Sequence, residues 1–220
     1  MKKSNTLFVC ILLTMCFTSQ LAAQSGMALT LQAGTLGAEL GFVKTLNPKL
    51  NARLGVSYMT YSYSGDSEGE DPVAYNVDMN LFSVGLLVDY HPFENTFRLT
   101  GGLLFNNNIF EASAEAVNTY EYDEGTYTPE DIGVLNGKVK PGLPISPYIG
   151  FGIGNPVSSD KKLGFYLDLG ILYTGSPAVE LEADPDTMIY PTADQDKQVE
   201  EDLSGIQIYP VLEIGLSYQL

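Results

Sequence analysis

Apolar and polar residues alternate one for one along most of this chain. In "LNARLGVSY" the even positions Leu50, Ala52, Leu54, Val56 and Tyr58 are apolar or aromatic, with Asn51, Arg53, Gly55 and Ser57 between them. "FSVGLLVDY" sets Phe82, Val84, Leu86, Val88 and Tyr90 against Ser83, Gly85, Leu87 and Asp89. "FRLTGGLLF" sets Phe97, Leu99, Leu103 and Phe105 against Arg98, Thr100 and Gly102. "ISPYIGFGIG" opposes Ile145, Ile149, Phe151 and Ile153 to Ser146, Tyr148, Gly150 and Gly152. In "LGFYLDLGILYTG" the odd positions from Leu163 to Tyr173 oppose Gly164, Tyr166, Asp168 and Gly170. The last stretch opposes Ile206, Ile208, Leu212, Ile214, Leu216, Tyr218 and Leu220 to Gln207, Glu213, Gly215, Ser217 and Gln219. The early "LGAELGF" opposes Leu36, Ala38, Leu40 and Phe42 to Gly37, Glu39 and Gly41. A period of two puts successive side chains on opposite faces of a strand, so seven strands are expected.

Periodicity alone fits a soluble sandwich or lipocalin-like barrel with its apolar face inside. The polar face argues otherwise: it holds glycine, hydroxyls and isolated Arg, Asp and Glu, where a soluble surface carries abundant Lys and Glu. Small residues suit the bore of a narrow barrel. Tyr58, Tyr90, Tyr173 and Tyr218 fall near strand ends on the apolar face, where an interfacial aromatic girdle would lie. Short turns ("NPK", "HPFENT", "NPVSSDKK") alternate with longer segments at about 64–75, 115–137 and 182–204. Outer-membrane barrels have that asymmetry. Seven strands would leave the two chain ends on opposite sides, so "MALTLQAG" (Met27–Gly34) is the expected eighth, with a tight turn or bulge near Gly34-Thr35 to absorb a slip in phase. The expected fold is all-β: an antiparallel up-and-down transmembrane β-barrel of eight strands, with long extracellular loops and short periplasmic turns.

The N-terminus sets the compartment. Lys2 and Lys3, an apolar run from Leu7 to Phe17 and the small-residue exit Leu21-Ala22-Ala23 describe a secretory signal peptide over 1–23. That run is too short to span the bilayer as a helix. The remaining 24–220 is expected to be one barrel domain. Cys10 and Cys16 both lie in the leader, which leaves no thiol chemistry or disulfide afterwards. Cleavage removes two lysines and no acid, taking the formal charge from −16 to −18, which excludes the clustered cations that nucleic acid binding requires. No later segment holds 18 uninterrupted apolar residues, and a closed barrel is the other structure that satisfies its backbone in lipid.

With the strands placed, the order of motifs resembles a family of bacterial outer-membrane β-barrel (porin-like) proteins of unassigned function. The matching stretches are "GTLGAELGF", "GLLVDYHPFENTFRLTGGLLFNNN", "SPYIGFGIGNPV", "GFYLDLGILYTGSPAVEL" and "YPVLEIGLSYQL", covering about Gly34 to Leu220 apart from the loops. The resemblance implies a fold and an outer-membrane location, with no reaction to carry over. The last strand also looks like the C-terminal signal read by outer-membrane assembly machinery, with Glu213, Gly215, Tyr218 and Leu220 at its positions; Leu220 stands where Phe is usual.

Candidate chemistry is sparse. The one histidine, His91, lies in a periplasmic "YHPF" turn, far from the outer leaflet where a lipid-modifying enzyme would need its base. Glu39, Arg53, Asp89, Arg98, Asp168 and Glu213 all come from polar faces and form a lumen charge cluster. It reads either as a salt-bridged plug or as a gated constriction. The narrow bore favours the plug, and the many lumen glycines favour a passage. Acids crowd the long segments: Asp66, Glu68, Glu70 and Asp71; Glu121, Asp123, Glu124, Glu130 and Asp131; and nine carboxylates from Glu180 to Asp202. None has EF-hand spacing, and a solvated, self-repelling surface is expected rather than a Ca²⁺ or Mg²⁺ site. "ADQDKQVEEDL" (Ala193–Leu203) reads as a short helix. "GFGIG" lacks the helix that a dinucleotide fingerprint needs. The expectation is a non-enzymatic outer-membrane barrel with a structural or surface-interaction role and at most weak passage of small ions or solutes. It has no catalytic, cofactor or metal residues, and its partners are outer-membrane lipid, lipopolysaccharide and the barrel assembly machinery. The alternatives are a transport pore and a lipid-modifying enzyme.

Overall fold

A computed structural model describes residues 26–67, 72–93, 95–122, 125–157, 162–183 and 193–220; the leader at 1–23 and both cysteines lie outside them. The strands are β1 (Met27–Gly34), β2 (Gly37–Asn47), β3 (Leu50–Asp66), β4 (Val73–Tyr90), β5 (Phe97–Asn106), β6 (Ile109–Ala116), β7 (Tyr120–Tyr122), β8 (Gly125–Tyr127), β9 (Val134–Lys140), β10 (Ile145–Ile153), β11 (Leu163–Tyr173), β12 (Ala178–Ala183) and β13 (Ile208–Gln219). Helices α1 (Pro129–Ile132) and α2 (Ala193–Leu203) complete the described elements, the second as the sequence suggests.

Eight strands close a ring in the order β1, β2, β3, β4, β5, β10, β11, β13 and back to β1, every pair antiparallel. Closure gives every strand two neighbours, which lipid requires because it offers the backbone no partner. Among the described residues no helix is long and apolar enough to cross a membrane.

The stripe that alternation marks as apolar faces outward. Leu40, Leu54, Leu86, Ile149, Phe165 and Leu216 are all at least half exposed, which would be untenable in water over so large an area. Tyr58 and Tyr173 bound this belt on the outer side, Tyr90 and Tyr218 on the periplasmic side, all with exposed rings. One residue departs from the reading. Leu36 does not continue the outward stripe of β2; it sits in the turn Thr35-Leu36, 3% exposed, and points into the bore. Gly37 follows with φ 100°, and a Cβ there would strike Met59 and the Tyr58 carbonyl, so the chain reverses before the stripe begins. Thr35 latches this turn to β13: its hydroxyl donates to the Pro210 carbonyl at 3.0 Å and accepts from the Leu212 N–H at 3.2 Å.

Strand continues beyond the eight expected strands. β3 and β4 continue past the belt as a hairpin, and β6, β9 and β12 add to it in that order, making a five-stranded sheet above the barrel. Its outer face carries the row Ser62, Asp78, Glu111, Lys138, Glu180. Its inner face carries Tyr61, Met79, Phe110, Val139 and Val179 in the adjoining row. The outside is therefore apolar below and polar above, and the inside is the reverse.

An arginine on the outward face should report that change along one strand. Leu54→Arg is expected to cost about 2–4 kcal/mol if it lies near the bilayer midplane, whereas Ser64→Arg on the same face of β3 should leave stability unchanged. Urea titrations of both variants refolded into lipid vesicles measure the difference.

Candidate functional site

The bore is filled in layers. At its centre Arg53 and Arg98 each bridge the same two carboxylates. Arg53 bonds Asp168 at 2.7 Å and Asp89 at 3.2 Å, and Arg98 lies 2.7 Å from Asp168 and 3.6 Å from Asp89. All four side chains are at most 2% exposed. Taking such groups out of water is tolerable only with near-complete pairing, and the planar guanidinium fork can serve two acceptors at once. Thr100 donates to Asp89 at 2.7 Å, Arg98 also donates to the Gly154 carbonyl, and its guanidinium lies 5.0 Å from the centre of the Tyr166 ring.

Glu39 and Glu213 complete the six charged positions marked by the sequence, each 6% exposed. Glu39 accepts from Gln32 and from Ser57, the latter at 3.1 Å. Glu213 stands opposite Asp168 in the sheet register, with one carboxylate oxygen lacking a hydrogen-bond partner. The structure thus gathers four of the six into one ring of ion pairs and leaves two carboxylates beside it.

Larger neighbours fill the places that several lumen glycines leave. A Cβ on Gly150 or Gly170 would strike the Tyr148 ring, one on Gly215 the Tyr166 ring, and one on Gly55 the Glu39 carboxylate, all at 2.4–2.5 Å. Each glycine is the space into which a larger neighbour lies. What remains beside Glu39, Arg53, Tyr148 and Glu213 is a cavity of about 10 Å³, room for about one water. Toward the outer side Leu36, Leu104, Tyr148, Leu172 and Val211 form an apolar layer, with Leu87 and Tyr209 against it. This layer was missed because Leu87, Leu104, Leu172 and Val211 break the polar alternation one at a time, as isolated exceptions on different strands.

His91 closes the periplasmic end. It is 2% exposed, its Nδ1 lies 3.2 Å from the Asn95 carbonyl and its Nε2 lies 3.2 Å from the Asn51 amide. Toward those partners Nδ1 acts as donor and Nε2 as acceptor. Of the C-terminal positions, Glu213 and Gly215 face the bore while Tyr218 faces outward; Leu220 donates its N–H to the Met27 carbonyl at 3.0 Å.

Above the barrel the acids are more organised than a repelling surface. Lys138 pairs with Glu111 at 2.6 Å and Lys140 with Glu180 at 2.7 Å. The hydrogen bond from Glu111 holds the Lys138 ammonium above its ordinary range, and that from Lys140 holds the Glu180 carboxyl below its own. Asp131 closes a capping box with Thr128 at α1, and the Thr128 backbone N–H and hydroxyl hold its carboxyl low. Glu200 and Asp196 of α2 accept from the Val179 and Leu181 N–H groups at 2.9 and 3.3 Å, covering the outer edge of β12. Among the described residues no three His, Cys, Asp or Glu side chains converge as a metal site. Glu68, Glu70, Asp71, Asp123, Glu124, Asp184 and Asp186 lie outside them.

The closed eight-strand ring, apolar belt and charged bore define a β-barrel of the transmembrane type. No protein-family model and no curated protein sequence matches the chain. Solved structures that share its fold include CarO2 of Acinetobacter baumannii (TM-score 0.62, 21% identity, 88% of this chain and 98% of that one) and CarO of the same organism (TM-score 0.61, 18% identity, 90% and 99%).

Removing one member of the central ring strands charge in the bore. Asp168→Ala is expected to destabilise the barrel by about 3–5 kcal/mol. Lys138→Gln, which breaks an exposed pair above the barrel, should give a barely measurable change. Denaturant unfolding in vesicles, read by heat-modifiable gel mobility, compares the two.

Proposed function

We propose that this protein is a closed, non-enzymatic barrel of the outer membrane whose role is structural or interactive at the cell surface, exercised by the sheet above the membrane. The single observation that carries the reading is the bore: paired arginines and aspartates across its middle, an apolar layer above them and His91 below. A solute would have to break buried ion pairs to pass, which supports at most weak passage of small ions. Catalysis finds no support in His91, whose ring nitrogens are both engaged at the periplasmic end.

In this reading the leader is removed after Ala23 and the barrel reaches the outer membrane through the assembly machinery, which reads Glu213, Gly215, Tyr218 and Leu220. The apolar belt meets outer-membrane lipid, and the acidic upper surface meets lipopolysaccharide; nucleic acid is not a partner. A transport pore is the rival. Purified protein in planar bilayers is expected to show no reproducible single-channel steps, while Tyr148→Ala combined with Arg98→Ala should introduce them; steps in the unmodified protein would establish the pore. Tyr218→Asp is expected to lower the amount of heat-modifiable barrel in outer-membrane fractions, and unchanged yield would remove the assembly role from that residue.

A further inference from the structure

A second cavity lies above the barrel rim, between the inner face of the upper sheet and the chain that leaves α2. It measures about 420 Å³ and is lined by Phe110, Val139, Pro177, Leu203, Ile206 and Ile208 among others. That size is within the range of about 300–1,000 Å³ seen for small-molecule sites, which are mostly apolar with a few polar groups. Lys140 is also among its lining residues, but its ammonium holds both oxygens of Glu180 at 2.7 and 2.9 Å, so it is not free to recruit an anion. The other polar liners are engaged as well: the Asn106 and Asn108 side-chain carbonyls accept from backbone N–H groups, and the Thr174 and Tyr209 hydroxyls donate to the Gln207 and Thr35 carbonyls, so the chemistry left to the cavity is mainly apolar contact. Ile208 belongs to the outward stripe of β13, above Pro210, Leu212 and Ile214, and opposite Tyr173 of the outer girdle. The lipid-facing surface therefore runs up the strand and into the cavity wall without a polar interruption.

We propose that this cavity holds one acyl chain of a lipid drawn from the outer leaflet, entering along Ile208 and ending against Phe110 and Val139. The inference rests on the membrane placement proposed above, and the test separates the two. The chain contains no tryptophan, so single reporters can be introduced without background. Phe110→Trp lines the cavity; Tyr61→Trp lies in the same cross-strand row, outside it; Ile149→Trp lies in the apolar belt. Each variant is reconstituted in bilayers of phosphatidylcholine with brominated acyl chains, with heat-modifiable mobility as the check on folding.

Ile149→Trp is expected to lose most of its emission; if it does not, the membrane placement itself fails. Given that control, Phe110→Trp should also lose most of its emission while Tyr61→Trp keeps it. Adding Val139→Phe, which takes up cavity volume, should restore the Phe110→Trp signal. Equal emission from Phe110→Trp in brominated and ordinary lipid overturns the proposal. Quenching of Phe110→Trp only by an added brominated alkyl glycoside, in ordinary lipid, overturns the bilayer as the source of the chain.

Discussion

Lipid gives the backbone nothing to bond with, and most of this structure follows from that. The sheet must close, and β13 meeting β1 closes it. Once closed, the strands have one face toward hydrocarbon, and their polar side chains are forced into a bore only wide enough for side chains. Water cannot fill such a bore in bulk, so the charges that strand alternation sends there must satisfy one another. Two arginines and two aspartates from β3, β4, β5 and β11 do so as a ring in which each cation meets both anions. Four ring strands are thereby tied through their side chains as well as through their backbones. A lysine at Arg53 or Arg98 could not reproduce this, because a single ammonium lacks the planar fork that reaches two carboxylates.

The barrel was legible in the sequence because membrane strands obey a simple rule: one side chain in two must be apolar. That rule placed the outward stripes of seven strands, pointed to Met27–Gly34 as the eighth, and sent Glu39, Arg53, Asp89, Arg98, Asp168 and Glu213 inward. It could not say which of these meet, since pairing depends on shear and tilt, which relate strands distant in sequence. It also left the glycines ambiguous. Period two marks Gly55, Gly150, Gly170 and Gly215 as lumen-facing but is silent on whether their missing side chains leave a channel or admit Tyr148, Tyr166 and Glu39. Leu36 was misplaced for a related reason: alternation continued by chance through a turn that only Gly37 and its positive φ reveal.

The upper sheet was hidden by composition. β6 ("IFEASAEA"), β9 ("VLNGKVK") and β12 ("AVELEA") alternate, but their inner positions include alanine and glycine, and their outer ones are acids and lysines. None of the three is among the strands expected from the sequence. The balancing lysines, Lys138 and Lys140, come from a different segment than the acids they pair with, so a linear reading sees repulsion where the fold has complementary rows.

A better signal was present in the two longest strands. On β3 the apolar phase passes from Leu54, Val56 and Tyr58 to Met59, Tyr61 and Tyr63; on β4 it passes from Phe82, Val84 and Leu86 to Leu81, Met79 and Val77. In an ordinary strand such a slip indicates a bulge, because moving one residue exchanges the faces. Here the register runs without interruption, and the slips fall on paired positions: Tyr58 opposite Phe82 and Met59 opposite Leu81. The backbone keeps its course while the surrounding medium changes from hydrocarbon to water, so the sequence must invert to keep each face in its own solvent. The inversion then creates the next demand. An apolar inner face above the membrane needs cover, and α2 supplies it at the β12 end, where Glu200 and Asp196 also occupy the N–H groups of that edge. The opposite edge, β3 above Tyr58, lies beyond the reach of the short β1–β2 hairpin and has no strand beside it among the described residues. One edge of the upper sheet is thus closed by a helix, while at the other the early reversal at Thr35-Leu36 ends the pairing with β2 at Tyr58.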